Sequence, residues 1–313
     1  MCDYRFTYMT VFSGLGGSAL GLKQAGGKGL FALDYDPTTK NQNAYDHLIL
    51  NFPELHASGC ILNEDITNVT GERILELTKL KPRELDIYQS SAPCQGFSSC
   101  NPTRDASNPK NTLFYESIKQ IKIILPKIAI FENVAGMTKG KMRGVYFQII
   151  TALRGCGYKV GSWQLNASDY GAPQTRPRTW IIGVREDIGI DPSIPSPLPY
   201  IVGVKDVLPD IIGTQAGQYN KTILPANNPC CTITKTEGLK VIDRFGTIRK
   251  PTIEELRTLS TFPQDYQFTG TYSEVHARLG NSVLPLMMKA IADHLHKSVL
   301  STNSPNSSVI NVA

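Results

Sequence analysis

Residues 8–17 read Tyr-Met-Thr-Val-Phe-Ser-Gly-Leu-Gly-Gly, and this stretch decides the fold of the chain. Its apolar first half, residues 8–12, predicts a β-strand that runs into a glycine-rich turn over residues 13–17. Helical spacing over residues 18–25 predicts that an α-helix follows. Such a turn lets a ligand approach the backbone, and the next helix points its N-terminus at that ligand. A tight strand-to-helix connection needs glycine as well, so the turn alone leaves both explanations open. Its spacing differs from the Gly-x-Gly-x-x-Gly of NAD sites.

The alternation of short apolar runs with helical patterns continues through about two-thirds of the chain. Such an alternation is typical of a doubly wound, mostly parallel α/β sheet. The further predicted strands cover residues 30–33, 85–88, 128–131, 158–165 and 179–184, and the predicted helices cover residues 113–125 and 145–153.

A proline-rich break divides the chain. Four prolines within residues 191–199 exclude a helix or a central strand there, which indicates a linker. Residues 200–270 lack the strand–helix rhythm, whereas an apolar helix predicted over residues 285–299 returns to the main core. We therefore expect a large domain over residues 1–195, completed by residues 275–300. A small domain is expected over residues 196–274, and a flexible tail over residues 301–313.

Composition excludes several classes of protein. The 313 residues contain no apolar run long enough to cross a membrane, so no membrane partner is expected. The seven cysteines form no Cys-x-x-Cys pair, which argues against a structural zinc site and against a disulfide framework. The N-terminus has no secretory pattern, so we expect a cytoplasmic protein, associated with the nucleoid if the host is prokaryotic. A net charge of +5 permits an anionic partner without demanding one.

Acidic residues follow two predicted strands close to the glycine turn. Asp34 comes about twenty residues after the turn, where nucleotide-binding sheets place an acid on ribose hydroxyls. An ordinary solvated turn acid is the alternative, and the glycine turn favours ribose binding. Asp65-Ile66 follows later in the chain and is unremarkable on its own.

Two further strand ends carry residues suited to catalysis. Cys94 ends an apolar strand within Pro93-Cys94-Gln95, and a thiol at the carboxyl end of a strand lies where a nucleophile belongs. Glu132 follows the apolar run 128–131, so burial is expected to raise its pKa and let it hold a proton. A surface acid at a strand end is the alternative for Glu132.

A basic segment follows. The sequence Gln174-Thr-Arg-Pro-Arg178 places two arginines so that they project alike from an extended segment, an arrangement suited to phosphate or carbonyl oxygens. Between residues 135 and 185, Asp169 is the single acid among eight basic residues. This predicts a positive surface suited to nucleic acid.

Six segments follow one another in the chain: Phe12-Ser-Gly-Leu-Gly-Gly17, Pro93-Cys-Gln-Gly-Phe-Ser98, Glu132-Asn-Val134, residues 166–178, residues 251–263 and Gly280-Asn-Ser-Val283. In this order they resemble the motifs of the DNA cytosine-C5 methyltransferases. The resemblance covers about residues 8–185 and 249–297. It implies a Rossmann-like class I methyltransferase fold with a smaller target-recognition domain.

The resemblance implies S-adenosylmethionine as cofactor, S-adenosylhomocysteine as its product, and no metal. Asp34 is implied on the ribose, Asp65 near the adenine amino group, and Tyr35 as an adenine-packing aromatic in place of the family's usual tryptophan. The full set of implied cofactor-binding residues is Phe12, Ser13, Gly14, Leu15, Gly16, Gly17, Asp34, Tyr35, Asp65, Ile66, Pro93, Leu113, Asn281 and Ser282.

The resemblance also implies the chemistry. The target cytosine flips out of the duplex, Cys94 adds to its C6, and a protonated Glu132 donates to ring N3. Arg178 is implied to hold the base carbonyl, and Arg176, the fourth catalytic residue, to contact the backbone or support the loop. Residues implied on the substrate side are Gln95, Ser98, Asn133 and Gln174.

The chain differs from the family that it resembles in the length of the region left for target recognition. Only about fifty residues, 200–249, remain for target recognition, which favours a short target of two to four base pairs. A partner chain that aids recognition, or a substrate other than duplex DNA, would also account for it. We expect a monomer acting on double-stranded DNA, in restriction–modification, in a phage or alone. A tRNA cytosine-C5 methyltransferase and a catalytically silent relative remain as alternatives.

Overall fold

A computed structural model describes residues 4–35, 43–93, 113–140, 143–216 and 222–301. Within these residues, seven strands form one large sheet in the order β3-β2-β1-β4-β5-β7-β6. The strands are β1 (Phe6–Val11), β2 (Gly27–Asp34), β3 (Ile61–Asn63), β4 (Ile87–Ser90), β5 (Ile128–Val134), β6 (Tyr158–Asn166) and β7 (Pro177–Arg185). All neighbours pair in parallel except β7, which is antiparallel to β5 and β6. The predicted doubly wound, mostly parallel sheet is confirmed.

The register of the central strands brings their carboxyl ends to one edge. Val11 of β1 pairs with Leu33 of β2 and with Ser90 of β4, and Ser90 pairs with Phe131 of β5. The residues that follow these strand ends therefore gather in one place. Long apolar runs form these strands because both faces of the sheet are covered by helices.

Helices α1 to α6 and α10 belong to the part of the chain that surrounds the large sheet. The helices are α1 (Gly17–Gln24), α2 (Asn43–Asn51), α3 (Pro53–Ala57), α4 (Gly71–Thr78), α5 (Phe114–Ile124), α6 (Arg143–Gly155), α7 (Val204–Val207), α8 (Ile253–Leu259), α9 (Tyr272–Asn281) and α10 (Pro285–Leu295). Helix α10 packs on α1 so closely that a Cβ at Gly21 would lie 2.4 Å from the Pro285 carbonyl oxygen. The C-terminal helix thus returns to the main core, as predicted. It ends at Leu295 and passes into a wider π-helical turn over His296–Leu300.

A second, smaller sheet lies within residues 200–270, for which the sequence predicted a smaller unit without the strand–helix rhythm. It is antiparallel, in the order β11-β10-β8-β9. Its strands are β8 (Ile211–Gln215), β9 (Ile223–Pro225), β10 (Lys240–Asp243) and β11 (Ile248–Arg249). Strands of two to five residues are too short to display an alternating pattern, which is why the sequence did not reveal them.

One side-chain-capped turn closes the small sheet, and one ion pair joins it to helix α8. The turn between β10 and β11 is closed by the Asp243 carboxylate, which accepts hydrogen bonds from the backbone N–H groups of Phe245 and Thr247. The Arg249 guanidinium donates two hydrogen bonds of 2.8 Å to the Glu255 carboxylate on α8. The domain boundaries at residues 195, 274 and 300 stay a prediction. No helix among the described residues is long and apolar enough to cross a membrane.

Candidate active site

The glycine turn after β1 adopts a left-handed backbone at three positions, Phe12 (φ 56°), Gly14 (φ 53°) and Gly16 (φ 80°). The Gly14 N–H donates a hydrogen bond to the Asp34 carboxylate at the end of β2. A Cβ placed on Gly14 would meet no atom within 4 Å. The turn and Asp34 therefore meet as predicted, and the Gly14 side of the turn is open to a ligand.

The other two glycines face protein. A Cβ at Gly16 would lie 2.7 Å from the Tyr266 hydroxyl, and a Cβ at Gly17 would lie 2.2 Å from the Val283 carbonyl oxygen and 2.4 Å from Ser282 Oγ. Close packing thus requires glycine at both positions. Among these three glycines, open space beside the backbone occurs at Gly14 alone, and the ligand role of the turn stays a prediction.

Tyr266 is a site residue that the sequence analysis missed. Its hydroxyl donates a hydrogen bond to the Leu15 carbonyl within the turn, and its ring is almost fully buried. The residues nearby, Phe262-Pro263, belong to residues 251–263, one of the six segments that resemble the family's motifs. Phe262 packs 4.8 Å from the Tyr266 ring, so this segment supports the glycine turn.

The remaining predicted cofactor residues differ in their surroundings. Tyr35 is 46% exposed beside Asp34, whereas Ile66 is buried in the core. Asp65 Oδ1 accepts hydrogen bonds from the Thr67 N–H and hydroxyl and so caps a short 3₁₀ turn. Asn281 is exposed at the end of α9, and Leu113 packs partly buried against the core.

These surroundings fit an adenosine-type cofactor. An open glycine, a carboxylate for hydroxyl groups and an exposed aromatic ring stand side by side at Gly14, Asp34 and Tyr35. Ser13 supports this arrangement because its backbone N–H donates to the Leu33 carbonyl and its hydroxyl pairs with Thr10 Oγ1.

Pro93 and Glu132 lie together at the ends of β4 and β5. Pro93, Glu132 and Asn133 line one cleft, with Phe114 and Met137 among the apolar residues around it. Three predicted residues, Cys94, Gln95 and Ser98, lie outside the described residues. Their proposed roles stay predictions.

Asn133 holds the two strand ends together. Its Nδ2 donates to the Ala92 carbonyl at 3.4 Å, and its Oδ1 accepts from the Val134 N–H at 2.8 Å. Strand β5 also continues through Glu132 and Asn133 to Val134, beyond the predicted end at residue 131, because β7 pairs with it along this length.

Glu132 and Arg178 form a buried ion pair. Arg178 Nε lies 3.0 Å from Glu132 Oε1, and the two side chains are 15% and 10% exposed respectively. Both residues come from paired strands, since Arg178 on β7 lies opposite Val134 on β5. The sequence placed both in the catalytic set, and the structure brings them into contact.

Arg176, for which the resemblance implied contact with the backbone or support of the loop, lies in the interior. It is 2% exposed, and its guanidinium donates to the backbone carbonyls of Ile233, Gly280 and Ser282. Burial and the nearby Arg178 charge lower the pKa of Arg176 well below its usual value, although Glu132 opposes this. The two arginines therefore do not project alike, because Arg176 turns into the interior.

Gln174 is also interior. It is fully buried, its Nε2 donates to the Leu259 carbonyl at 3.2 Å, and its Oε1 accepts from the Ile233 N–H at 3.1 Å. The amide also accepts a hydrogen bond of 3.5 Å from Arg176 Nη1, so its contacts are with the protein interior. A role in contacting substrate stays a prediction without support from this geometry.

The predicted positive surface is smaller than the sequence indicated. Arg176 is buried, Arg185 pairs with Asp187 at 2.6 Å, and Lys159 pairs with Asp191 at 2.9 Å. The acids that neutralise Arg185 and Lys159 are Asp187 and Asp191, which lie just beyond the basic segment of residues 135–185.

The described cysteines are unsuited to nucleophilic attack. Cys60 and Cys230 are buried, and Cys156 and Cys231 are partly buried. Burial raises the pKa of the Cys230, Cys231 and Cys156 thiols. No group of three potential metal ligands occurs among the residues with described positions.

Comparisons with known proteins identify the family of the chain. The family model described as C-5 cytosine-specific DNA methylase matches residues 6–228 and 214–297. The chain is 27% identical over 338 residues to the type II methyltransferase M1.HphI of Haemophilus parahaemolyticus, covering 93% of this chain and 87% of that protein. It is 33% identical over 185 residues to the type II methyltransferase M.AquIA of Picosynechococcus sp., covering 56% of this chain and 71% of that protein.

Solved structures share the fold. A putative DNA modification methyltransferase encoded within an E. coli prophage superposes with a TM-score of 0.76 at 23% identity, covering 95% of this chain and 99% of that one. The S. pombe Dnmt2 methyltransferase superposes with a TM-score of 0.64 at 16% identity, covering 96% of this chain and all of that one.

Proposed function

Because the chain belongs to the C-5 cytosine-specific DNA methylase family, we propose that it methylates cytosine at C5 in double-stranded DNA, with S-adenosylmethionine as the methyl donor. The observation that carries this proposal is the meeting of three features at one edge of the large sheet. The open Gly14 turn with Asp34, the Pro93 strand end and the Glu132–Arg178 ion pair lie at the carboxyl ends of neighbouring strands.

The cofactor is proposed to lie on the open side of the glycine turn. When bound, S-adenosylmethionine supplies an electrophilic methyl group. Asp34 binds the ribose hydroxyls, Tyr35 packs on the adenine, and the Gly14 backbone lets the ligand approach closely. Asn281 and Ser282 lie near the methionine part, and Ser282 reaches the turn through its contact with Gly17.

The cytosine is proposed to enter the cleft beside Pro93. The Cys94 thiolate forms a bond to C6, the π electrons of the C5–C6 double bond move to form a C4–C5 double bond, and those of the C4–N3 double bond move to N3. The resulting enamine is nucleophilic at C5. Glu132 takes up a proton from solvent when the cytosine binds, donates it to N3 and takes it back when the ring is restored, while Arg178 holds the base carbonyl and carries the compensating charge. After methylation, loss of the C5 proton expels the thiolate and restores the ring.

A trapping experiment tests this function. A duplex oligonucleotide with 5-fluorocytosine at its target is expected to form a denaturant-resistant adduct with the protein, because fluorine cannot leave as a proton does. Cys94→Ser should abolish the adduct and leave binding of S-adenosylmethionine nearly unchanged. An adduct that persists in Cys94→Ala would refute the role of this residue. Transfer to tRNA and not to duplex DNA would favour the RNA alternative.

The small sheet is proposed to contact the DNA and to read a short site. Strands β8 to β11 have two to five residues each, which leaves few side chains to reach base edges. Bisulfite sequencing of DNA from cells that express the protein should reveal a shared core of about two to four base pairs. A strict site of six or more base pairs read by this chain alone would contradict the proposal.

We also propose that the protein is a cytoplasmic monomer.

A further inference from the structure

Arg176 occupies the point where three distant segments meet. Its Nη2 donates to the Gly280 carbonyl at 2.8 Å and to the Ser282 carbonyl at 2.7 Å, and its Nη1 donates to the Ile233 carbonyl at 3.0 Å. Gly280 and Ser282 lie at the end of α9, and Ile233 lies in the segment between β9 and β10. Arg176 itself directly precedes β7, two residues before Arg178.

The segments held by Arg176 lead to both halves of the proposed site. Ser282 Oγ lies too close to Gly17 for that residue to carry a Cβ, so the segment after α9 packs on the glycine turn. Ile233 is followed by the exposed residues Thr234, Lys235 and Thr236 on the side of the small sheet. These two segments also touch each other, since a Cβ at Gly280 would lie 2.2 Å from the Thr234 carbonyl oxygen.

A buried guanidinium can hold several backbone carbonyls at once better than a lysine ammonium can. Burial of a charge costs several kcal/mol unless hydrogen bonds compensate it. The planar guanidinium presents fixed donors in several directions, whereas a lysine ammonium is a single point at the end of a flexible stem. The three shortest hydrogen bonds go to backbone carbonyls and fix the path of the main chain, and a fourth, longer one of 3.5 Å goes to Gln174 Oε1.

We propose that Arg176 is a positioning residue that fixes the segments after Ile233 and around Ser282 against strand β7, and so sets the DNA side and the cofactor side of the site together. This inference rests on the proposed methyltransferase function. It extends the supporting role that the resemblance implied for Arg176, because the guanidinium donates to the protein backbone of two distant segments.

The test compares two buried arginines at opposite ends of the same strand. Arg185 ends β7, is 7% exposed, and donates to the Leu125 carbonyl and to Asp187, far along the strand from Arg178. Arg176→Lys and Arg185→Lys are each measured by urea unfolding, by calorimetry with S-adenosylmethionine, and by steady-state methyl transfer to duplex DNA.

Arg176→Lys is expected to raise both the Kd for S-adenosylmethionine and the KM for DNA, each by about fivefold or more. Arg185→Lys should leave both constants within about twofold, even at an equal loss of stability. If the wild type is active and the two variants change the Kd for S-adenosylmethionine and the KM for DNA by equal factors, the inference is overturned. A wild type that binds S-adenosylmethionine but methylates no DNA would instead overturn the proposed function.

A second variant serves if Arg176→Lys does not fold. Gln174 holds the Ile233 N–H but makes no hydrogen bond to the segment around Ser282 among the described contacts. Gln174→Met is therefore expected to raise the KM for DNA by about fivefold and to change the Kd for S-adenosylmethionine by less than about twofold. An unchanged KM for DNA in this folded variant would overturn the proposal.

Discussion

The buried pair of Glu132 and Arg178 gives a prediction that can be worked from the structure. The two atoms that form the pair are 3.0 Å apart, and the side chains are 10% and 15% exposed. At an effective dielectric constant of about 20, unit charges 4 Å apart interact by about 4 kcal/mol. Replacement of one partner leaves the other charge buried, so Glu132→Gln or Arg178→Gln alone should each cost about 3–5 kcal/mol of stability.

A double-mutant cycle isolates the interaction. Loss of both charges removes the unpaired charge, so the double variant should be clearly more stable than the sum of the single losses predicts. We expect a coupling energy of about 2–4 kcal/mol from urea unfolding at neutral pH.

The chain offers a matched control pair. Arg244 lies 3.1 Å from Asp210, almost the same separation, but the side chains are 63% and 76% exposed. The cycle with Arg244→Gln and Asp210→Asn should give less than about 1 kcal/mol, because water screens the exposed charges. Equal coupling energies in the two cycles would refute burial as the cause, and a coupling near zero for Glu132 and Arg178 would refute the ion pair itself.

Two further changes test the glycine turn and helix α8. Gly17→Ala should lower the free energy of unfolding in urea by about 3 kcal/mol, because its Cβ would meet the Val283 carbonyl oxygen. Gly14→Ala should lower it by about 1 kcal/mol, because its Cβ meets no atom and only the left-handed backbone is strained. Equal losses in the two variants would contradict the packing role of Gly17. Burial raises the pKa of Glu255, but hydrogen bonds from Arg249 and from the Thr252 N–H outweigh burial and hold that pKa below its usual value. This stabilisation is present above the unfolded pKa of about 4.3 and is lost as pH falls through the lower folded pKa. The wild-type protein should therefore be about 1 kcal/mol more stable than Glu255→Gln at pH 7 and should lose this advantage in acid. A stability difference that does not change with pH would contradict the lowered pKa of Glu255.

The large sheet could be predicted because its signals are local. Strands such as β1 and β5 are short apolar runs that end in a turn or a polar residue, and this pattern needs no knowledge of distant partners. Even so, the end of β5 was placed three residues too early. Pairing with β7, which lies more than forty residues later, extends β5 to Val134.

The roles of Arg176 and Gly17 could not be read from the sequence, because their partners are far away along the chain. Arg176 donates to carbonyls 57 to 106 residues away, and the oxygen that excludes a Cβ at Gly17 belongs to Val283. A backbone carbonyl exists at every residue, so no residue type marks it as a partner. By contrast, the acid Asp34 was predictable, since its distance from the glycine turn is set within one strand–helix–strand unit.

The contact of α10 with α1 determines when this protein can finish folding during its synthesis. Helix α1 ends at Gln24 and α10 begins at Pro285, with no room for a side chain at Gly21 between them. At about 5–20 residues per second, the ribosome completes α1 roughly 13–50 s before α10. During this interval the nascent chain carries an uncovered apolar helix face beside its glycine turn, and exposed apolar surface of this kind favours aggregation. Assembly of the α1 side of the large sheet must therefore wait until residues 285–295 have been synthesised.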